Sequence, residues 1–150
     1  MKQNNTAKNL TAQLTLEEKA QMITGSGGMT SRGIERLGIP EKTMADGPCG
    51  IRGEKEKNHT TFPSISALAA SWDKEIAKKM GEALGEECKA HGIDMLLAPG
   101  VNIKRHILCG RNFEYFSEDP VLAGEMAAAY VNGLQESGTA ASVKHFAANN

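Results

Sequence analysis

Between Ile65 and His91, apolar residues recur at steps of four, at Leu68, Trp72, Ile76, Met80, Leu84 and Cys88, with alanines between them. Steps of four drift slowly around a helix, so the pattern predicts one apolar stripe on a crossover helix, in one piece or two. A second stripe, Leu122, Met126, Ala129, Tyr130 and Leu134, runs from Asp119-Pro120 to Gly138. Its start pairs an N-cap carboxylate with a proline at the first helical position. Three short apolar runs alternate with these helices, and each ends in turn residues or charge. Thr43-Met-Ala45 meets Asp46-Gly-Pro-Cys-Gly50, Met95-Leu-Leu-Ala98 meets Pro99-Gly100, and Ala140-Ala-Ser-Val143 meets Lys144-His145-Phe146. Continuous apolar runs of this length read as buried parallel strands, with Gly92 stopping the first helix before the second strand.

Ahead of this alternation the signals are more local. Thr15-Leu-Glu-Glu18 has the spacing of a capping box and predicts a short helix through about Ile23; Gly25-Ser-Gly-Gly28 then predicts a loop. Residues 1–14 are polar without periodicity and read as a loose leader to a folded segment spanning 15–150. A polar stretch, Gly53 to Thr61, separates the first strand from its helix. Strand, helix, strand, helix, strand with buried parallel strands is an α/β arrangement, either a doubly wound sheet or a (β/α)8 barrel. A full barrel needs roughly 250 residues, so this chain would supply about three of its eight strands. In both architectures chemistry collects at the carboxyl ends of the strands.

Composition narrows the functional classes. Seventeen basic and 18 acidic residues, spread along the chain for a net charge of −1, leave no basic footprint for nucleic acid or an anionic membrane. The opening residues lack the apolar core of a signal peptide and no apolar stretch reaches membrane-spanning length, so a cytoplasmic location is expected. Cys49, Cys88 and Cys109 have neither Cys-x-x-Cys spacing nor a histidine pair beside them, and read as reduced thiols, with no metal site expected.

At the strand ends stand Asp46, Arg111 and Lys144-His145. A carboxylate held in the Asp46-Gly-Pro turn can accept two hydrogen bonds from a vicinal diol, though a turn-forming aspartate bonded to its own backbone fits the same pattern. Arg111 lies in a long strand-to-helix loop mixing aromatics with charges, where Glu114, Glu118 or Asp119 can orient its guanidinium, toward sugar oxygens or in a purely structural ion pair. Lys144 and His145 are adjacent, so a continuing strand would send them to opposite faces and only a loop or bulge would bring both to one ligand. The alternative is a histidine packed in the wall and a lysine reaching solvent.

Five segments in order carry a resemblance: Met44-Ala-Asp-Gly-Pro-Cys-Gly-Ile-Arg52, Phe62-Pro-Ser-Ile-Ser-Ala-Leu-Ala-Ala-Ser-Trp-Asp73, Leu97-Ala-Pro-Gly-Val-Asn-Ile103, Gly110-Arg-Asn-Phe-Glu-Tyr-Phe-Ser-Glu-Asp-Pro120 and Val143-Lys-His-Phe-Ala-Ala-Asn-Asn150. Together they resemble glycoside hydrolase family 3, most closely its β-glucosidases. The resemblance implies a retaining exo-acting enzyme built on a (β/α)8-type barrel, here incomplete. It implies hydrolysis of terminal non-reducing β-D-glucosyl residues, with β-xylosidase activity or a degenerate sugar-binding fragment as alternatives. The substrate would be a small-molecule β-glucoside or oligosaccharide, and no cofactor or metal is implied.

By the same resemblance Asp46, Arg111, Lys144 and His145 match positions that hydrogen-bond the terminal sugar, with Arg52 as a further candidate. Hexosaminidase members resemble Lys-His-Phe-Pro-Gly-His at the third strand, whereas this chain reads Lys144-His-Phe-Ala-Ala-Asn-Asn150. The family's nucleophilic aspartate, in a Ser-Asp-Trp context, and its acid/base carboxylate are expected beyond residue 150. Ser71-Trp72-Asp73 has those letters in another order at a helix start. Retaining hydrolysis needs two carboxyl groups about 5 Å apart, so these 150 residues alone are expected to be inactive.

Overall fold

Polar ends and apolar stripes resolve into alternating strands and helices in a computed structural model that describes residues 2–53 and 59–149. The chain folds as two units, residues 1–43 and 44–150. Most of the polar stretch 53–61, at 54–58, lies outside the described residues, as do Met1 and Asn150.

In the first unit, residues Lys2–Gln13 form a helix, α1. The reading of 1–14 as a loose leader is corrected here: a polar segment can be helical without an apolar stripe, and periodicity is blind to it. Helix α2, Leu16–Thr24, begins with the capping box. Thr15 N donates to Glu18 Oε2 at 2.9 Å and Glu18 N to Thr15 Oγ1 at 3.2 Å. A hydrogen bond from Arg36, then one from the Thr15 backbone, hold the Glu18 carboxyl down to about 2. Strand β1, Thr30–Ser31, pairs antiparallel with Lys42 and Thr43, the start of β2, Lys42–Asp46. This two-residue pairing lies just past the predicted glycine loop, too short to leave a pattern of its own.

The second unit carries the predicted alternation. The last three residues of β2 run parallel to β3, Met95–Leu97, with Asp46 opposite Leu97, and β3 runs parallel to β4, Ala140–Ala141. The predicted third strand is shorter than Ala140–Val143; beyond Ala141 only a bridge between Gly100 and Lys144 continues it. The first crossover is two helices, α3, Ile65–Ala70, and α4, Lys74–Ala90. They part at Trp72, which takes a left-handed φ of 58°, uncommon for a bulky residue. Asp73 is the N-cap of α4, its Oδ1 accepting from Glu75 N at 2.9 Å and Ile76 N at 3.4 Å.

Helix α5, Pro120–Glu136, forms the second crossover and is capped by Asp119 as its sequence predicts. The predicted stripes supply most of its core: Leu68, Met80, Leu84 and Cys88 meet Met126, Tyr130 and Leu134, with Leu96 of β3 beneath, whereas Trp72 and Ile76 of the first stripe are exposed. Helices α4 and α5 pack backbone to backbone. A Cβ built on Gly133 would lie 2.1 Å from the Lys78 carbonyl oxygen, so only glycine permits that approach. Tyr130 Oη donates to the Pro48 carbonyl at 3.1 Å, tying the buried helix to the turn after β2.

Candidate active site

Past the carboxyl ends of β2, β3 and β4 the backbone stays paired long enough to set out a group of charges. Lys144 N donates to Pro99 O at 3.0 Å and Val101 N to Lys144 O at 2.8 Å, while Gly100 bridges Tyr115 on its other side. Lys144 therefore stands beside the end of β3. Its Nζ reaches back across the sheet to Asp46 Oδ1 at 2.5 Å and lies 3.8 Å from Glu114 Oε2. Glu114 Oε1 accepts from Arg111 Nε. The four side chains make an alternating line of charge, Asp46, Lys144, Glu114, Arg111. The two middle members are nearly dry, with side chains 13% and 6% exposed, and the two ends are open at 37% and 44%.

Local sequence explains each placement. Asp46 ends its strand in a tight turn: Gly47 has φ 132°, and a Cβ there would strike Gly50 O at 1.8 Å. The chain then returns, Arg52 N donating to Asp46 O at 2.8 Å, which brings Arg52 alongside. Arg111 precedes a 3-10 turn, Asn112–Glu114, closed by Glu114 N on Arg111 O at 3.2 Å. That spacing sets Arg111 and Glu114 on one side of the turn. His145 is held by Asn102, whose Oδ1 accepts from His145 N at 2.7 Å and whose Nδ2 donates to His145 O at 3.1 Å. Its Nδ1 is 2.9 Å from Tyr115 Oη, the rings meeting edge to face.

The electrostatics follow from this packing. Burial is the largest single influence on Asp46 and pushes its carboxyl upward. The Lys144 hydrogen bond and charge, a bond from Gly47 and the Arg52 charge together outweigh it, so the net shift is downward. Asp46 is thus a carboxylate at neutral pH. Burial, followed by the Arg111 and Lys144 charges, pushes His145 below its ordinary 6.5, which Glu114 and Asp46 only partly oppose. The ring is neutral at pH 7. Burial raises the Cys49 thiol, and all three cysteines are free.

A cavity of about 180 Å³ opens among these groups, lined by Asp46, Pro48, Cys49, Arg52, Arg111, Phe113 and Glu114. It presents carboxylate acceptors, guanidinium donors and one aromatic face, a set matched to a small polyhydroxylated molecule. Among the described residues no group of three His, Cys, Asp or Glu side chains converges as a metal site requires.

All five residues expected at the site, Asp46, Arg52, Arg111, Lys144 and His145, come together in the second unit. Asp46 is more than a turn-former, since its side chain receives Lys144. Of the three carboxylates able to orient Arg111, Glu114 does so; Asp119 caps α5, and Glu118 is exposed. Sequence reasoning missed Tyr115 and Asn102, the two residues that hold His145. A buried tyrosine whose hydroxyl needs a partner is the signal that points to Tyr115. Asn102, five residues past the end of β3, leaves no comparable trace.

The family model described as the glycosyl hydrolase family 3 N terminal domain matches residues 3–150. The chain belongs to that family. Within family 3 it is 50% identical over 153 residues to thermostable β-glucosidase B of Acetivibrio thermocellus, covering 95% of this chain and 20% of that protein. It is 46% identical over 148 residues to an exo-α-(1→6)-L-arabinopyranosidase of Bifidobacterium longum, covering 91% of this chain and 20% of that protein. The glucose complex of β-glucosidase 3B from Thermotoga neapolitana superposes with a TM-score of 0.84 at 42% identity, over 94% of this chain and 23% of that one. The chain therefore spans about a fifth of the length of the curated relatives it matches. The consecutive parallel strands β2, β3 and β4 with their crossovers are the opening part of a (β/α)8-type barrel, which decides between the two architectures the sequence allows.

Proposed function

We propose that the protein carrying this chain hydrolyses terminal non-reducing β-D-glucosyl residues with retention, and that Asp46, Arg111, Lys144 and His145, with Arg52, bind the terminal sugar. The observation that carries this reading is the line of charge from Asp46 to Arg111 around one small cavity at the strand ends. The likeness to family 3 β-glucosidases, one of them in complex with glucose, supports it.

In this reading Asp46 keeps Oδ2 for a sugar hydroxyl while Oδ1 holds Lys144. Lys144, with one donor spent on Asp46, turns its remaining N–H groups to neighbouring hydroxyls. A neutral His145 that accepts the Tyr115 hydroxyl at Nδ1 carries its own proton on Nε2 and offers that as a donor. Such bonds accelerate glycoside cleavage when they tighten as the sugar ring flattens toward an oxocarbenium ion, contributing several kcal/mol. Neither carboxylate of the cavity is suited to act as the nucleophile or the acid, because each is already spent on a cation. Those two roles fall to residues outside these 150.

The test is an assay of the full-length protein on aryl β-glucoside, β-xyloside and α-L-arabinopyranoside, the last because one relative is named for that substrate. The β-glucoside is expected to have the highest kcat/KM. A preference for either of the others would redirect the assignment of the sugar.

A further inference from the structure

We propose that Ser66 and Lys104 are positioning residues that clamp the turn bearing Arg111 and Glu114, and so set the grip on the sugar without touching it. This rests on the reading of the cavity as the sugar site. Ser66 lies on α3, between buried Ile65 and the next buried residue, Leu68, in a helix begun by the Ser64 N-cap. Its Oγ faces three backbone carbonyls of the turn, those of Asn112 at 3.2 Å, Phe113 at 3.4 Å and Tyr115 at 3.2 Å. These carbonyls bracket Glu114. Lys104 approaches Ser66 Oγ from the loop after β3, its Nζ at 2.6 Å, while its backbone N is anchored on Ser117 O at 3.2 Å.

Donor and acceptor counting fixes the direction of each bond. An ammonium only donates, so Ser66 Oγ accepts from Lys104, and its single proton is left to the carbonyl cluster. Lys104 thereby orients the hydroxyl, and Ser66 passes that constraint to the turn. On the opposite side of the same turn, Glu114 takes Arg111 and stands near Lys144. The backbone that sets both charges is thus held from behind by the Ser66 hydroxyl. Burial lowers the pKa of Lys104, with no carboxylate contributing to the shift. Its ammonium donates to Ser66 and forms no ion pair among the described residues, which suits a clamp better than a surface charge.

The experiment uses the full-length protein and two readouts, amide hydrogen exchange over residues 112–116 and the dissociation constant for glucose. In Ser66→Ala, exchange at Glu114 N and Tyr115 N, which close the turn, is expected to quicken by about tenfold, and the dissociation constant to rise about five- to tenfold, as loss of one hydrogen bond allows. Lys104→Met moves both in the same direction and serves if Ser66→Ala does not fold. Ser66→Thr keeps the hydroxyl, and the cavity of about 350 Å³ bordering Ser66 and Lys104 gives its methyl room. This variant should restore both readouts to within about twofold. Unchanged exchange over 112–116 in Ser66→Ala, or losses that Ser66→Thr does not reverse, would overturn the clamp. If exchange responds as expected but the wild type binds no glucose, the clamp stands and the sugar assignment fails.

Discussion

At the scale of single residues, Asp46 and Glu114 divide one task, holding two cations at a sugar-sized cavity. Asp46→Asn removes the charge that Lys144 meets at 2.5 Å. We expect kcat/KM of the full-length protein to fall by several kcal/mol of transition-state stabilisation, on the order of a hundredfold or more. A near-wild-type value would reduce Asp46 to a turn residue. Glu114 is buried beside both Arg111 and Lys144, so Glu114→Gln should cost about 2 kcal/mol or more in denaturant unfolding and also weaken glucose binding. The pH dependence follows from two groups whose folded pKa values lie below their ordinary ones. In the folded protein His145 therefore gains its proton only at a pH below its ordinary 6.5, and Asp46 only below its ordinary 3.8. Glucose binding should be level at neutral pH, weaken first as His145 is protonated and weaken again at lower pH as Asp46 is. A titration of glucose affinity against pH checks the order of the two steps.

At the scale of elements, the helices of the two crossovers act as the site's foundation. Helix α5 touches the turn after β2 through Tyr130 and Pro48, and meets α4 where Gly133 lets the backbones close. Gly133→Ala must force them apart, and a loss of about 2–4 kcal/mol is expected in denaturant unfolding, comparable to other overpacked helix contacts. Most of these elements were legible in the sequence. The four-step stripe marked α3 and α4, Asp119-Pro120 marked the start of α5, and Thr15 with Glu18 marked α2, because capping and burial leave patterns within a few residues. The break at Trp72 left only a doubt about one helix or two. Helix α1 was missed because its sequence is polar and carries no apolar stripe, and β1 because two paired residues have no period.

At the scale of the molecule, the cavity proposed to take the sugar is lined by two carboxylates, Asp46 and Glu114, and each is bonded to a cation. A polypeptide of these 150 residues, expressed alone, should give no turnover of an aryl β-glucoside above a blank, whereas the full-length protein should. Turnover by the short polypeptide would mean that Asp46 or Glu114 does chemistry as well as binding.

The sequence by itself determined where polar groups interrupt buried strands, and hence that Asp46, Arg111, Lys144 and His145 belong to one end of a parallel sheet. Strand ends are local features, set by apolar runs and turn residues within reach of each other along the chain. What only the tertiary structure decided was who meets whom. Lys144 reaches Asp46 across 98 positions, Tyr115 meets His145 across 30, and Ser66 lies under a turn 46 positions away. Such partners are chosen by the packing of crossovers over the sheet, and no spacing along the chain encodes that.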